Sequence, residues 1–306
     1  MLKAVLRPAM IMLPFFAGLF CPQAHILNES PFHLVPVILI VMIFVSALQL
    51  EFRELAPRKE HFILVAVNIL IALVPWGLCR IFLPEATDLA WICFFTGIMP
   101  SATSSPVIIS FLDGKVGFTL TGFVVSTFLI SLALVLFLPL VTGNCSFAFF
   151  GNVLVTVSML IIFPILAAFL VQKIWPSSRN IPRKYKEHTF FIWCVLLFII
   201  AAIARNYLLK NPRITYSSLW IPAAISGVMS IINFCVGKHL PRGRYPLECG
   251  QLLGQKNTSF GIYIALLYAN PYVTFGPIFY VFWHNVWNAC QLFQHERQKK
   301  ESAGEK

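Results

Sequence analysis

Glu248-Cys249-Gly250-Gln251-Leu252-Leu253-Gly254-Gln255-Lys256-Asn257-Thr258-Ser259-Phe260-Gly261 lies inside a largely apolar run over residues 246–269. Such a run is long enough to cross a bilayer, which takes about 20 residues of helix. Its middle is polar: Gly-Gln-Lys-Asn-Thr-Ser stands where hydrocarbon would be. A lysine near the centre of a span costs about 3 kcal/mol on insertion scales unless it is paired or hydrated. Snorkelling is the alternative, but Lys256 sits about ten residues from either end of its run, a poor reach for its side chain. The expectation is an interrupted helix with Lys256 facing protein or a wet cavity.

A second interruption lies in residues 88–112, at Gly97-Ile98-Met99-Pro100-Ser101-Ala102-Thr103-Ser104-Ser105-Pro106-Val107. Two prolines flank five small residues, four of them hydroxylated. Each proline removes a backbone donor and clashes with the preceding turn, so an unwound stretch between two half-helices is expected. Lipid cannot satisfy the freed backbone groups. A simple proline kink, with hydroxyls bonding back to the helix, is the alternative. The second half-helices are expected to start near Pro106 and Thr258. Their free N–H groups and positive dipole ends favour an anion, and Lys256 adds a full charge nearby. A carboxylate or sulfonate fits that arrangement better than a cation does. The candidate binding residues are Thr103, Ser104 and Ser105 in the first interruption, and Glu248, Gln255, Lys256, Asn257 and Thr258 in the second.

The rest of the chain has the same character. It has 306 residues, 58% of them hydrophobic and only 11% charged, with a mean hydropathy of +0.79. That is too few charges to cover a soluble domain. Candidate spans fall at 8–26, 34–51, 62–83, 88–112, 115–141, 149–173, 188–208, 217–238, 246–269 and 273–294. The fold class expected is an all-α membrane protein of ten transmembrane helices in a single domain. Lys3 and Arg7 precede the first run as in a signal peptide, but no small-residue cleavage site follows, so a retained first span is expected.

The bases test this count. Eighteen Lys and Arg lie at the termini or after even-numbered spans, four (Arg80, Arg205, Lys210 and Arg213) lie on the other side, and Lys256 lies within a span. The asymmetry predicts a multi-pass protein of the cell (inner) membrane with both termini cytoplasmic. It also accounts for the net charge of +11 without nucleic acid as a partner. The eight cysteines are scattered and form no CxxC, so reduced, packed thiols are expected, with no metal site, disulfide or cofactor.

An internal repeat accompanies the interruptions. Leu13-Pro14-Phe15-Phe16-Ala17-Gly18-Leu19-Phe20 resembles Phe163-Pro164-Ile165-Leu166-Ala167-Ala168-Phe169-Leu170, with the prolines 150 residues apart. The same offset carries the polar break of span four onto that of span nine. Five spans per half is an odd number, so the second half enters the membrane from the opposite side. This predicts two inverted repeats, residues 1–145 and 146–295, with a solvated tail at 296–306 and broken helices four and nine.

Gly254-Gln255-Lys256-Asn257-Thr258 through Ala265-Leu266-Leu267, then Trp283-His284-Asn285, the polar stretch after Pro100, and Met42-Ile43-Phe44-Val45-Ser46-Ala47-Leu48 together resemble the bile acid:sodium symporter family. The resemblance covers nearly the whole chain. It implies a panel domain and a core domain, with spans four and nine crossing in the core and alternating access for organic anions. The chain departs from the family's pattern where coupling is decided. The second broken helix of the family reads Glu-x-Gly-x-Gln-Asn; here Leu252 stands at the glutamate and Lys256 at the glutamine, and only Gly254 and Asn257 are kept. The family's Ser-Asn after the first break is Ser105-Pro106 here. Sodium needs several oxygens, so the resemblance implies degraded sodium sites with the Lys256 ammonium where a cation would bind. A competing alignment gives the acid's role to Glu248, which shares a helical face with Gln251 and Gln255. His284 and Asn285 either line a path or form a packing pair.

The leading expectation is therefore a secondary transporter without ordinary sodium coupling. Its expected partners are a small organic anion, the lipid bilayer, and a proton or sodium as coupling ion. No catalytic residues are expected: HExxH, GxSxG and paired acids within spans are all missing, which disfavours a lipid-modifying enzyme. A sensor or scaffold on a transporter fold is the competing class.

Overall fold

A computed structural model describes residues 13–29, 31, 33–50, 55–211, 216–240 and 244–302. Lys3, Arg7, Arg53, Arg213, Arg242 and Lys306, which carry part of the expected charge asymmetry, lie outside the described residues, as do residues 8–12 of the first expected span. Among the described residues the chain is all-helical, and an isolated antiparallel bridge joins Ser101 to Lys256.

Residues 13–20 form α1. Then follow α2 (Leu34–Ala47), α3 (Lys59–Phe82), α4 (Thr87–Gly97), α5 (Ser105–Phe111), α6 (Val116–Thr142) and α7 (Phe147–Ile174). The second half holds α8 (Lys186–Lys210), α9 (Trp220–His239), α10 (Pro246–Gly254), α11 (Thr258–Tyr268) and α12 (Phe275–Ser302). Local chemistry sets several ends. Gly143 takes φ +74° to close α6, the left-handed stop glycine allows without strain. Ser146 accepts the Phe149 N–H to open α7. Within α7, residues Ser158–Ile162 widen into a π turn just before Pro164, whose ring would otherwise meet the carbonyl of Leu160.

Five segments are long and apolar enough to cross a membrane: Lys59–Phe82, Val116–Thr142, Phe147–Ile174, His188–Lys210 and Ser217–His239. The remaining expected spans look different for identifiable reasons. Spans four and nine are each divided into two short helices. α2 has 14 residues, and α12 mixes aromatic, amide and charged side chains over its 28. The expected solvated tail is in part helical, because α12 continues to Ser302.

The helices pack in two groups. α2, α7 and α8 lie together, with Gly18 of α1 against Phe198 and Ala201 of α8. α3, α4, α5 and α6 pack with α9, α10, α11 and α12. The two divided helices belong to this second group; across the groups α6 packs on α7, and α11 touches α2.

Candidate functional site

Pro100 ends α4: it cannot donate to the ladder, and it biases Met99 away from helical geometry. α10 stops at Gly254, and Gln255 is extended at φ −93°, ψ 106°. The two unwound segments meet. Ala102 N–H donates to Gln255 O at 2.8 Å, and Asn257 N–H donates to Pro100 O at 2.8 Å. Each segment thus supplies the backbone partners that lipid could not. The second half-helices begin at Ser105 and Thr258.

Side chains complete the junction. Ser101 N–H donates to Ser126 Oγ of α6 at 3.1 Å, and Ser101 Oγ donates to Leu252 O at 2.5 Å. Ser105 Oγ reaches Gln251 O at 3.4 Å. Asn257 caps α11 by accepting the Phe260 N–H at 3.2 Å. Gln255 Nε2 donates to Ser104 Oγ at 2.5 Å, and Gln255 Oε1 accepts from Asn288 Nδ2 of α12 at 3.1 Å. Gln251 Nε2 lies 2.9 Å from Asn288 Oδ1 and 2.8 Å from Gln291 Oε1. Amides from α10 and α12 therefore form a buried ladder leading to the junction. Thr103 is half-buried beside Ser104, and Thr258 is buried as the first residue of α11.

Lys256 is 1% exposed. Its ammonium donates to Asn68 Oδ1 of α3 and to Gly97 O at 3.3 Å. Asn68 Nδ2 in turn donates to Met99 O at 3.1 Å. Among the described residues no carboxylate pairs with Lys256. The physical account lies in the end of α4. The last carbonyls of a helix lack intrahelical partners and carry its negative dipole end. A cation there is favoured, and the ammonium supplies it with a hydrogen bond as well. The expectation that Lys256 offers its charge to an anion is not what this arrangement presents: the ammonium is turned onto oxygen acceptors, as a bound metal cation would be.

Glu248 is buried, and its Oε1 accepts the Lys115 N–H at the start of α6, at 2.7 Å. It caps a helix rather than joining Gln251 and Gln255. His284 is buried with Nδ1 unpartnered, its ring edge-on to Tyr280 at 5.7 Å. Asn285 Nδ2 donates to Val281 O of its own helix at 2.7 Å and takes no part in the junction. A cavity of about 10 Å³ borders the junction, lined in part by His61, Asn68, Ser101 and Ser126. That is room for one water and for no organic anion.

Several contributors are not picked out from sequence, among them Asn68, Ser126, Asn288, Gln291 and Tyr280. Tyr280 O–H donates to Gly254 O at 2.8 Å and accepts from Asn233 Nδ2 at 3.0 Å. Asn68 is a lone amide in an apolar run, and that is the signal available: a buried polar group in a span needs a partner. No protein-family model and no curated protein matches the chain.

Proposed function

We propose that this chain is a ten-span secondary transporter that moves a small organic anion by alternating access, with a lysine ammonium in the place of a coupling sodium. The observation that carries the reading is the mutual pairing of the two unwound segments, with Lys256 set over the end of α4. Unwound backbone inside a membrane protein serves where helix ends must face a ligand or each other. On this reading spans four and nine are α4–α5 and α10–α11, crossing at the junction. The inverted repeats run over 1–145 and 146–295, and both termini face the cytoplasm of a multi-pass inner-membrane protein. The two helix groups correspond to the panel and core of the bile acid:sodium symporter family, which the sequence resembles. With the junction closed to about 10 Å³, substrate access requires the groups to part.

Uptake of organic anions into proteoliposomes, with and without sodium, tests this. The expected result is flux that sodium does not stimulate in the wild type. Steep sodium dependence with Lys256 intact would falsify the built-in cation. Anion binding without flux would instead favour the sensor or scaffold class.

A further inference from the structure

A second charged site lies away from the junction, where three helices of the second group begin. The residues preceding α3, α6 and α10 are Arg58, Lys115 and Tyr245. Arg58 and Lys115 both meet Tyr245. Arg58 Nη1 donates to the Tyr245 hydroxyl at 2.6 Å. The Arg58 guanidinium and the Lys115 ammonium lie 5.5 and 4.6 Å from the centre of the Tyr245 ring. Phe118 stacks on that ring at 4.3 Å. Tyr245 is held at φ +57°, a conformation a bulky residue adopts only when its surroundings impose it. Beside it opens a cleft of about 480 Å³, lined by Lys115, Arg244, Tyr245, Pro246 and Glu248.

The electrostatics are one-sided. Cations at helix N-termini are disfavoured, because the dipole ends there are already positive. Three such ends converge here with three cations. Among the described residues none of Arg58, Lys115 and Arg244 has a carboxylate partner. Glu248, the one acid in the lining, turns Oε1 to the Lys115 N–H. Glu60 is buried in the first turn of α3 and is not part of the lining. Asp113, two residues before Lys115, is taken by Lys299 and His295. The general bias of bases to the cytoplasmic side accounts for their number, but not for their convergence on one strained tyrosine beside an open cleft.

We infer that this cleft binds a phosphate group, carried by an anionic phospholipid at the membrane surface or by a small soluble phosphate. Basic pockets between helices at the bilayer edge suit such headgroups, and Arg with Lys offers the donors a phosphate takes. The site sits at the start of α10, nine residues of helix before the junction, so occupancy would bear on the broken helix directly.

The full chain, purified and unfolded thermally, provides the test. One arm uses nanodiscs of phosphatidylcholine with and without phosphatidylglycerol; the other uses detergent with inorganic phosphate. The expected result is stabilisation in at least one arm, with apparent phosphate affinity about tenfold weaker in Lys115→Gln/Arg244→Gln. The lipid arm alone responding assigns a headgroup, and the detergent arm responding assigns a soluble phosphate. Lys173→Gln/Lys184→Gln removes equal charge elsewhere and is expected to respond like the wild type. No stabilisation in either arm, or equal losses in the two double variants, overturns the site.

Discussion

α4 and α10 both end at a glycine, α10 turning extended at once at Gln255 and α4 keeping one more helical residue, Ile98, yet the carbonyls at their ends are met by different chemistry. At the end of α4, Gly97 O takes the Lys256 ammonium and Met99 O takes the Asn68 carboxamide. At the end of α10, Gly254 O, Leu252 O and Gln251 O take the hydroxyls of Tyr280, Ser101 and Ser105. One end is held by a charge from the other half of the chain, the other by neutral donors. Pulling the junction apart would strand a buried ammonium without its oxygen acceptors and a helix end without its cation. Removing one partner of a buried charged contact is destabilising by about 3–5 kcal/mol. The two interruptions are therefore expected to move as one body, and any opening to fall between the helix groups.

The largest effect is expected from reversing the charge. Lys256→Glu sets a carboxylate against Gly97 O and Asn68 Oδ1 and should lower stability by about 3–5 kcal/mol, read as thermal unfolding in detergent. Lys256→Gln keeps an N–H donor without the charge. If the two substitutions lose equally, the charge is irrelevant and the contrast between the helix ends disappears.

The two glycines sharpen the comparison. A methyl at Gly97 would stand 2.6 Å from the Ala72 backbone in α3, which cannot yield. A methyl at Gly254 would meet the Phe234 ring, itself stacked on Trp287 at 4.8 Å. Gly97→Ala should cost about 2–3 kcal/mol and Gly254→Ala about 1 kcal/mol, since a side chain gives way more readily than backbone. A larger loss at Gly254 would mean that α10 is the more tightly confined end. Below these comes Tyr280→Phe, which strands Gly254 O and Asn233 Nδ2. A loss of about 1–2 kcal/mol is expected, and no change would show that water replaces the hydroxyl.

These contrasts show what the sequence made legible. Both interruptions could be read because proline, glycine and polar runs leave strong local marks: Pro100 and the Gly254–Ser259 stretch were placed correctly. The direction of Lys256 could not be read. Its position promised a positive charge near the break, but the acceptors that turn it, Asn68 and Gly97 O, lie 188 and 159 residues away in sequence. The same holds for Glu248, whose cap on Lys115 depends on a contact between α10 and α6. Asn285, expected with His284 either to line a path or to form a packing pair, has its amide bonded within its own turn. Span type follows from local composition, whereas a polar group's partner follows from tertiary approach.

The smallest effect belongs to the far end of the first interruption, where α5 gives way to α6. Asp113 turns the chain at φ +55° and pairs with Lys299 and His295 of α12. The hydrogen bond from Lys299, then that from His295, holds the Asp113 carboxyl below its ordinary value of 3.8. A carboxyl so depressed contributes its stability above the ordinary carboxylate range and loses it as pH falls through the depressed value. Asp113→Asn isolates the charge, because asparagine also tolerates this left-handed turn. The wild type should unfold slightly later than the variant at neutral pH, and the difference should vanish on acidification and shrink with salt. A difference that survives both would mean that Asp113 acts through the shape of the turn, and the α5–α6 link would then be mechanical rather than ionic, unlike the charged end of α4.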